Sequence, residues 1–331
     1  MKKIMNHPDQ VVEEMMTGMV LANPQRLQRI KGTTVLSKKT IPIAKKVALI
    51  SGGGSGHEPA HAGYIGKGML DAAVIGEVFT APTMDQIYAA IKATHSGHGV
   101  CLIVKNYAGD IMNFDMAAEL AVTEGIDVEQ VVVKDDVAIE DSIFTTGRRG
   151  IAGTIFIHKI TGALAEQGAT LQEVKRIGEK AANAVRSMGI ALSSCSIPAA
   201  GEPTFTLSDS EMEVGIGIHG EPGIERMEVA SAQEIARQLV EPILADLQLG
   251  KGAEVALMIN GMGATPQMEL YIVMKEVHSL LEKREVLIYQ SFVGEYMTSL
   301  EMGGVSITIF ALDEELKHLL NEESDAPYFR V

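Results

Sequence analysis

The sequence predicts an α/β protein of two units, each a sheet flanked by helices, with residues 1–190 in the first unit and 191–331 in the second. Three observations carry this prediction. A length of 331 residues fits two domains at roughly 100–200 residues each. Short β-branched runs alternate with longer amphipathic stretches, which is typical of α/β layers. A stretch rich in Gly, Pro and Ser, residues 192–225, lies near the middle and has no helical period.

Six apolar runs have the length and composition of buried strands. They are residues 47–51, 100–106, 128–133, 254–260, 286–292 and 305–310. Between them, apolar residues recur at helical spacing. These helices are predicted near 8–20, 112–124, 154–167, 171–188, 232–246 and 266–283.

Composition and charge exclude several classes of function. The net charge is −15 and basic residues form no stripe that could neutralise phosphates, so nucleic acid is not an expected partner. A run of roughly 20 apolar residues, which a membrane helix needs, does not occur in the sequence. The basic N-terminus lacks the apolar segment of a signal peptide, because Asp9, Glu13 and Glu14 interrupt it. Cys101 and Cys195 are far apart and are expected to be buried thiols, which fits the cytoplasm.

The sharpest local feature directly follows the strand at 47–51 and reads SGGGSGHEPAHAGYIGKGM. Its glycines can bring backbone N–H groups close to a small polar ligand. A nucleotide loop is not supported, because the motif has Gly56-His57-Glu58 where a phosphate loop has Gly-Lys-Ser/Thr. His57 follows a strand end, where ligands of α/β sheets bind, although a tight turn without a ligand is the alternative. His61 suggests a metal pair, but no carboxylate at a matching spacing supports a metal.

A second candidate segment, KNYAGD, ends the strand at 100–106. If the two strands are parallel, Lys105 and Asp110 lie on the same rim as His57. Asp110 is then either the N-cap of the following helix or a carboxylate that accepts a proton from a hydroxyl.

The third candidate segment, GIGIHGEPGIER, places His219 between glycines. Flanking glycines expose the imidazole, and Glu221 could orient one ring nitrogen so that the other stays an unprotonated nucleophile. The remaining histidines are read as ordinary surface or core residues.

Three lesser motifs are read mainly as loops and caps, with a possible role at the site or toward a partner. They are Asp135-Asp136, the segment Thr145 to Gly150, and the segment Asn260 to Pro266, in which Thr265-Pro266 resembles a helix N-cap followed by its first residue.

Together these segments resemble the dihydroxyacetone kinases over essentially the whole chain. The segments in order are SGGGSGHEPAHAGYIGKGM, FTAPT, IVKNYAGDIMNF, TTGRRG, ALSSCSIPAAGEPTF, GIGIHGEPGIER and NGMGATP. The resemblance implies that His219 binds the ketone carbon as a hemiaminal and that Asp110 takes the proton of the phosphorylated hydroxyl. It further implies a substrate site at Gly54, Ser55, Gly56, His57, Lys105 and Asp110, with His57 as proton acceptor. One departure is Ala81 in FTAPT, where a serine is common.

The resemblance also implies a division of labour between proteins. The chain resembles the binding subunit of the multi-part bacterial system, so this chain is expected to hold no cofactor and no metal. ADP or ATP with Mg is expected on a helical partner subunit, which a phosphotransferase-system protein recharges. A homodimer is expected from the same resemblance, and a cytoplasmic location from the two cysteines.

Two other classes of function stay open at this point. A paralogue with the same histidine could sense the ketose and act as coactivator of a transcription regulator. A lipid- or acyl-phosphate-binding protein of related fold is the third interpretation. The preferred ketose, dihydroxyacetone or a longer relative, does not follow from the sequence.

Overall fold

The computed structural model describes residues 2–140 and 147–331. The helices are α1 (Val11–Ala22), α2 (Met84–Thr94), α3 (Ala108–Thr123), α4 (Thr154–Glu166), α5 (Leu171–Ala184), α6 (Ala232–Leu247), α7 (Gln267–Lys283) and α8 (Glu314–Asn321). The strands up to residue 133 are β1 (Leu27–Arg29), β2 (Val35–Lys38), β3 (Ala48–Ser55), β4 (Ala72–Val78), β5 (Val100–Lys105) and β6 (Val128–Val133). The later strands are β7 (Val185–Ala191), β8 (Glu211–Val214), β9 (Glu225–Glu228), β10 (Glu254–Gly261), β11 (Leu287–Gly294), β12 (Gly304–Leu312), β13 (Asp325–Ala326) and β14 (Phe329–Arg330).

The first sheet has the strand order β1-β2-β4-β3-β5-β6. Its strands β4, β3, β5 and β6 are parallel to one another, and β1 and β2 join one edge in antiparallel orientation. The carboxyl ends of β3 and β5 therefore meet on one rim, as the sequence predicts.

The second sheet has the order β11-β10-β12-β7-β8-β9 and is mostly antiparallel, with one parallel pair, β10 and β11. The predicted class, two α/β units with flanked sheets, is confirmed. The predicted boundary between residues 190 and 191 falls inside β7, which pairs within the second sheet.

The C-terminal segment also crosses the predicted division. The Tyr328 N–H donates to the Gly63 carbonyl over 3.1 Å, and the Asp325 N–H donates to the Lys67 carbonyl over 3.0 Å. The end of the chain therefore packs on residues of the first unit.

Five layers stack in the order helices, sheet, helices, sheet, helices. Helices α2 and α3 cover one face of the first sheet, α6 and α7 cover the outer face of the second, and α4 and α5 lie between the sheets. Helix α4 is buried on nearly all sides because both sheets cover it. The Phe156 ring of α4 stacks on Phe310 of β12 at 5.1 Å between centroids. One central core thus holds the two sheets in a fixed relation.

All six predicted strands and all six predicted helices are present, most of them with shifted ends. The helix predicted to 188 ends at Ala184, since the chain passes straight into β7. Strand β3 runs on through the glycines to Ser55. Several elements of the structure were not predicted, among them β4, β7, α2 and α8.

Within the described residues, no helix is long and apolar enough to cross a membrane. Cys101 and Cys195 are buried free thiols, which confirms the prediction made from the sequence for these two cysteines. Burial raises the pKa of the Cys101 thiol to about 12.

Candidate active site

An open pocket of about 500 Å³ lies on the rim where β3 and β5 end. The first unit contributes Gly54 at the end of β3 and residues that follow β4 and β5, and the second unit contributes one side chain, His219. The lining includes Gly54, Phe79, Ala81, Tyr107, Asp110, Asn113 and His219. A smaller apolar cavity of about 240 Å³ between α6, α7 and the second sheet contains Glu269 as its one ionisable side chain, so it offers little chemistry.

His219 lies in the loop between β8 and β9, and Glu221 fixes its ring. The Nδ1 atom lies 2.7 Å from Glu221 Oε1, and the backbone N–H of His219 donates to Oε2 over 2.9 Å. A carboxylate only accepts, so Nδ1 carries the proton and Nε2 keeps a lone pair. Burial opposes ionisation of Glu221, but the hydrogen bond from His219, together with the positive charge of that ring when it is protonated, outweighs burial and lowers the Glu221 pKa to about 2.

Glycine is required at several points of this loop. A Cβ at Gly217 would lie 1.9 Å from Glu221 Oε2, in the space that the carboxylate fills. Gly220 has φ +79°, a left-handed conformation that favours glycine. Gly217 therefore leaves the space that the carboxylate fills, and Gly220 provides the left-handed turn that closes the loop.

His57 is fully buried and is held from the second unit. Its Nδ1 donates to the Thr298 carbonyl over 2.8 Å, and the Thr298 N–H donates back to the His57 carbonyl over 3.2 Å. Burial, then His219 and the Lys105 cation, hold the pKa of His57 well below its usual range. The ring is thus neutral, with a lone pair on Nε2.

Three aromatic neighbours surround the imidazole of His219. Its ring centroid lies 4.7 Å from His57, 4.7 Å from Tyr107 and 5.3 Å from Phe79, each nearly edge-on. Phe79 also stacks on His57 at 5.1 Å, although its backbone is left-handed with φ 55°. A non-glycine residue in this region is strained by roughly 1–2 kcal/mol. The surrounding contacts hold Phe79 against both histidines despite this strain.

Lys105 and Asp110 form a buried ion pair beside the pocket. Lys105 Nζ lies 3.3 Å from Asp110 Oδ2, and the side chains are 0% and 5% exposed. Helix α3 begins at Ala108 with Tyr107 as its N-cap, so the expectation of Asp110 as an N-cap is wrong. Asp110 lies in the first helical turn, where the helix dipole stabilises a carboxylate.

The segment predicted as a glycine-rich loop is largely strand. Gly54 and Ser55 end β3 and pair with β4. A Cβ at Gly54 would lie 2.6 Å from the Thr80 backbone nitrogen, so a side chain has no room there. The Ser55 hydroxyl donates to the Gly76 carbonyl over 2.7 Å. The Gly56 N–H donates to the Glu58 carboxylate over 3.1 Å. The glycines serve close packing, and of Gly54, Ser55 and Gly56 the first lines the pocket.

His61 lies behind the pocket rather than beside His57 as a metal ligand. Its Nδ1 is 3.0 Å from His158 Nε2, and both rings are buried. The described ranges contain no group of three His, Cys, Asp or Glu side chains that could hold a metal ion.

The lesser motifs lie in loops and caps. Asp135 accepts from the Ile151 and Gly153 N–H groups, and Asp136 pairs with Arg149 at 2.7 Å. Thr145 and Thr146 lie outside the described residues.

In the segment 260–266, the Asn260 side chain donates to the Met297 carbonyl. Thr265 is not the cap of α7, for which the N-cap is Pro266; its hydroxyl instead pairs with the Gly304 backbone.

Four residues at the site were not singled out from the sequence. Phe79 is part of the motif FTAPT and Tyr107 is part of KNYAGD, so their place in these motifs could have identified them as site residues. Asn113 follows Asp110 by one helical turn and lines the same pocket. Thr298 is distant from His57 in the chain, and no local pattern points to it.

Among the buried side-chain atoms of the described chain, three near the pocket have no hydrogen-bond partner: His57 Nε2, Asp110 Oδ1 and the Tyr107 hydroxyl. Buried polar atoms are usually paired, and an unpaired one costs about 1–3 kcal/mol. With Nε2 of His219 they form a set of polar atoms suited to a small ligand rich in oxygen. The arrangement offers one nucleophilic nitrogen, two acceptors and one hydroxyl.

The chain is similar to known proteins over nearly its whole length. Residues 17–328 match the Dak1 domain. The dihydroxyacetone-binding subunit of PTS-dependent dihydroxyacetone kinase 1 from Listeria innocua is 55% identical over 95% of both chains.

Two solved structures share the fold over nearly the whole chain. A dihydroxyacetone kinase operon co-activator has a TM-score of 0.89 and 38% identity, covering 95% of this chain and 97% of that one. The dihydroxyacetone kinase from C. freundii in complex with AMP-PNP and Mg²⁺ has a TM-score of 0.91 and 36% identity, covering 99% of this chain and 61% of that one. The chain therefore belongs to the Dak1 family.

Proposed function

We propose that this chain is the dihydroxyacetone-binding subunit of a phosphotransferase-system-dependent dihydroxyacetone kinase. The ketone binds covalently to His219, and a hydroxyl of the bound sugar receives a phosphoryl group from a partner. The observation that carries the proposal is that His219 and Asp110 line one pocket, with His57 buried against the His219 ring and unpaired polar atoms on His57 and Asp110.

The covalent step adds the imidazole N–H across the ketone C=O. Nε2 of His219 forms a bond to the carbonyl carbon, and the π electron pair moves to oxygen. The oxygen takes one proton from solvent while the Nδ1 proton is released to solvent past Glu221, so the proton count is unchanged. Glu221 lies 2.7 Å from Nδ1 and stabilises the positive charge that develops on the ring.

Covalent capture explains how a small pocket could select a ketone over glycerol. Dihydroxyacetone has few heavy atoms, and at most about 1.5 kcal/mol per atom is available without a bond. Glycerol offers similar hydroxyls, so hydrogen bonds alone discriminate weakly between the two. Only a carbonyl forms the adduct with His219, which also fixes the orientation of the terminal hydroxyls.

Asp110 and His57 are the proposed proton acceptors. Asp110 Oδ1 has no partner within the described chain, and Oδ2 contacts Lys105, which fits a carboxylate held ready for a substrate hydroxyl. Since burial keeps the His57 ring neutral, its Nε2 can accept a hydrogen bond from the sugar. Phosphoryl transfer requires mainly alignment and charge compensation, with a base for the hydroxyl proton.

The phosphoryl group comes, in this proposal, from ATP with Mg on a separate nucleotide-binding subunit, which is left holding ADP. Its phosphate is renewed by a phosphotransferase-system protein, as the description of the Listeria innocua relative as PTS-dependent suggests. A cytoplasmic homodimer is part of the same proposal. Light scattering on the purified chain tests the dimer.

A ketose-sensing coactivator is the second candidate, favoured by the likeness to the operon co-activator at 38% identity. Both proteins would capture the ketone, so binding alone does not separate them. The chain is mixed with dihydroxyacetone and the ATP-loaded partner subunit of Listeria innocua kinase 1. Formation of dihydroxyacetone phosphate supports the kinase, whereas an adduct without product supports the sensor. Absence of any adduct contradicts both.

A further inference from the structure

One exposed face of α3 is apolar. Met112, Met116 and Leu120 are 58%, 45% and 37% exposed. They follow one another at intervals of four residues, so they lie on one side of the helix. These three residues are called the α3 stripe below.

The α3 stripe begins at the mouth of the pocket. Gly109, Asp110 and Asn113 line the pocket from the first turns of the same helix. On a helical surface Gly109 neighbours Met112, and Asn113 neighbours Met116. At about 1.5 Å of rise per residue, the stripe extends roughly 15 Å from Asp110 to Leu120. A protein bound to it would therefore reach the pocket mouth.

Carboxylates border the α3 stripe. Asp115 and Glu119 are exposed on the same helix and also line a shallow groove beside Val122 and Gln130. A second copy of this chain meeting itself here would bring like charges together, which is unfavourable in a two-fold contact. A partner with basic side chains around an apolar centre complements this surface.

We propose that the α3 stripe is the docking surface for the nucleotide-carrying partner subunit. This inference rests on the proposed function, which requires that a phosphoryl donor approach the pocket mouth. The partner has to bring its own cations to balance a Mg nucleotide, and those cations match Asp115 and Glu119. Because the partner also has to leave for recharging, a small surface with flexible methionines suits a transient contact.

The test compares Met116→Glu and Leu120→Glu with the original chain. Dihydroxyacetone phosphate formation is followed while the concentration of the ATP-loaded partner subunit from Listeria innocua kinase 1 is varied. Each variant is expected to raise the partner concentration at half-maximal rate roughly tenfold or more, as expected for a central interface residue. Leu21→Glu on α1, which is 74% exposed, is the control and is expected to change it less than twofold.

Ketone binding gives the second measurement, because the α3 stripe does not line the pocket. Both α3 variants are expected to form the His219 adduct as the original chain does. The inference would be overturned if the partner concentration at half-maximal rate were unchanged in both variants. It would also be overturned if the variants lost self-association and kept their affinity for the partner. If the original chain itself yields no product, the proposed function fails, a result distinct from the loss of docking.

Discussion

Gly217 should control the reactivity of His219 without touching the ketone. The substitution Gly217→Ala places a Cβ 1.9 Å from Glu221 Oε2, so the carboxylate has to move away. The hydrogen bond between Glu221 and His219 Nδ1 is then weakened or lost. A hydrogen bond to a charged group contributes about 1.5–3 kcal/mol. Ketone affinity should therefore fall roughly 10- to 150-fold.

Titration calorimetry with dihydroxyacetone measures this change. Gly18→Ala in α1 is the matched control, since nothing lies within 4 Å of the added Cβ. That control should leave ketone affinity unchanged and stabilise the helix by about 0.5–1 kcal/mol.

A double-mutant cycle shows whether the effect passes through Glu221. In a Glu221→Ala background, the carboxylate is already absent, so Gly217→Ala should lower affinity less than threefold further. The reasoning is refuted if Gly217→Ala binds ketone as the original chain does. It is also refuted if the two substitutions lower affinity by fully additive amounts.

Three further predictions follow from the buried groups around the pocket. Asp110→Asn should keep the ketone adduct but lower turnover about 10²- to 10⁴-fold, because the hydroxyl proton loses its acceptor; single-turnover product formation checks this. Gly53→Ala places a Cβ 2.6 Å from Lys105 Nζ, so thermal unfolding should show a loss of about 1–3 kcal/mol while Gly250→Ala, with nothing within 4 Å, shows none. Burial and then the Lys105 cation lower the pKa of His158 to about 3, below its ordinary 6.5, so the unfolded chain binds the extra proton. Protonation of this group in the unfolded chain should therefore lower the free energy of unfolding by up to about 1.4 kcal/mol per pH unit as the pH drops below 6.5. In urea unfolding, the free energy of unfolding of His158→Asn should depend on pH less steeply by that amount.

Strands and helices with strong local patterns could be predicted from the sequence. The run at 128–133 is the strand β6 with the same bounds, since it is apolar, β-branched and flanked by turns. The helix predicted to 188 was too long because no glycine or proline separates α5 from β7 at Val185. The glycines of β3 have low strand propensity, and they are needed because of tertiary packing: the Val74 carbonyl lies too close to Gly52, and the Thr80 backbone too close to Gly54, for a side chain.

The candidate site could be predicted where residues lie at strand ends, and not where distant segments meet. Lys105 and Asp110 were placed beside His57 by assuming parallel strands, and β3 and β5 are parallel. The contact between His57 and Thr298 joins two sheets, and no periodicity in the sequence encodes it. The space that Gly217 leaves for Glu221 likewise depends on how the loop closes.

Carbon-13 NMR of dihydroxyacetone labelled at the central carbon tests the covalent bond to His219 most directly. With the original chain, the bound carbon should leave the ketone region of the spectrum and give a tetrahedral signal, which is absent with His219→Ala. A bound ketone that keeps its carbonyl signal, or a tetrahedral signal that persists in His219→Ala, would contradict the account.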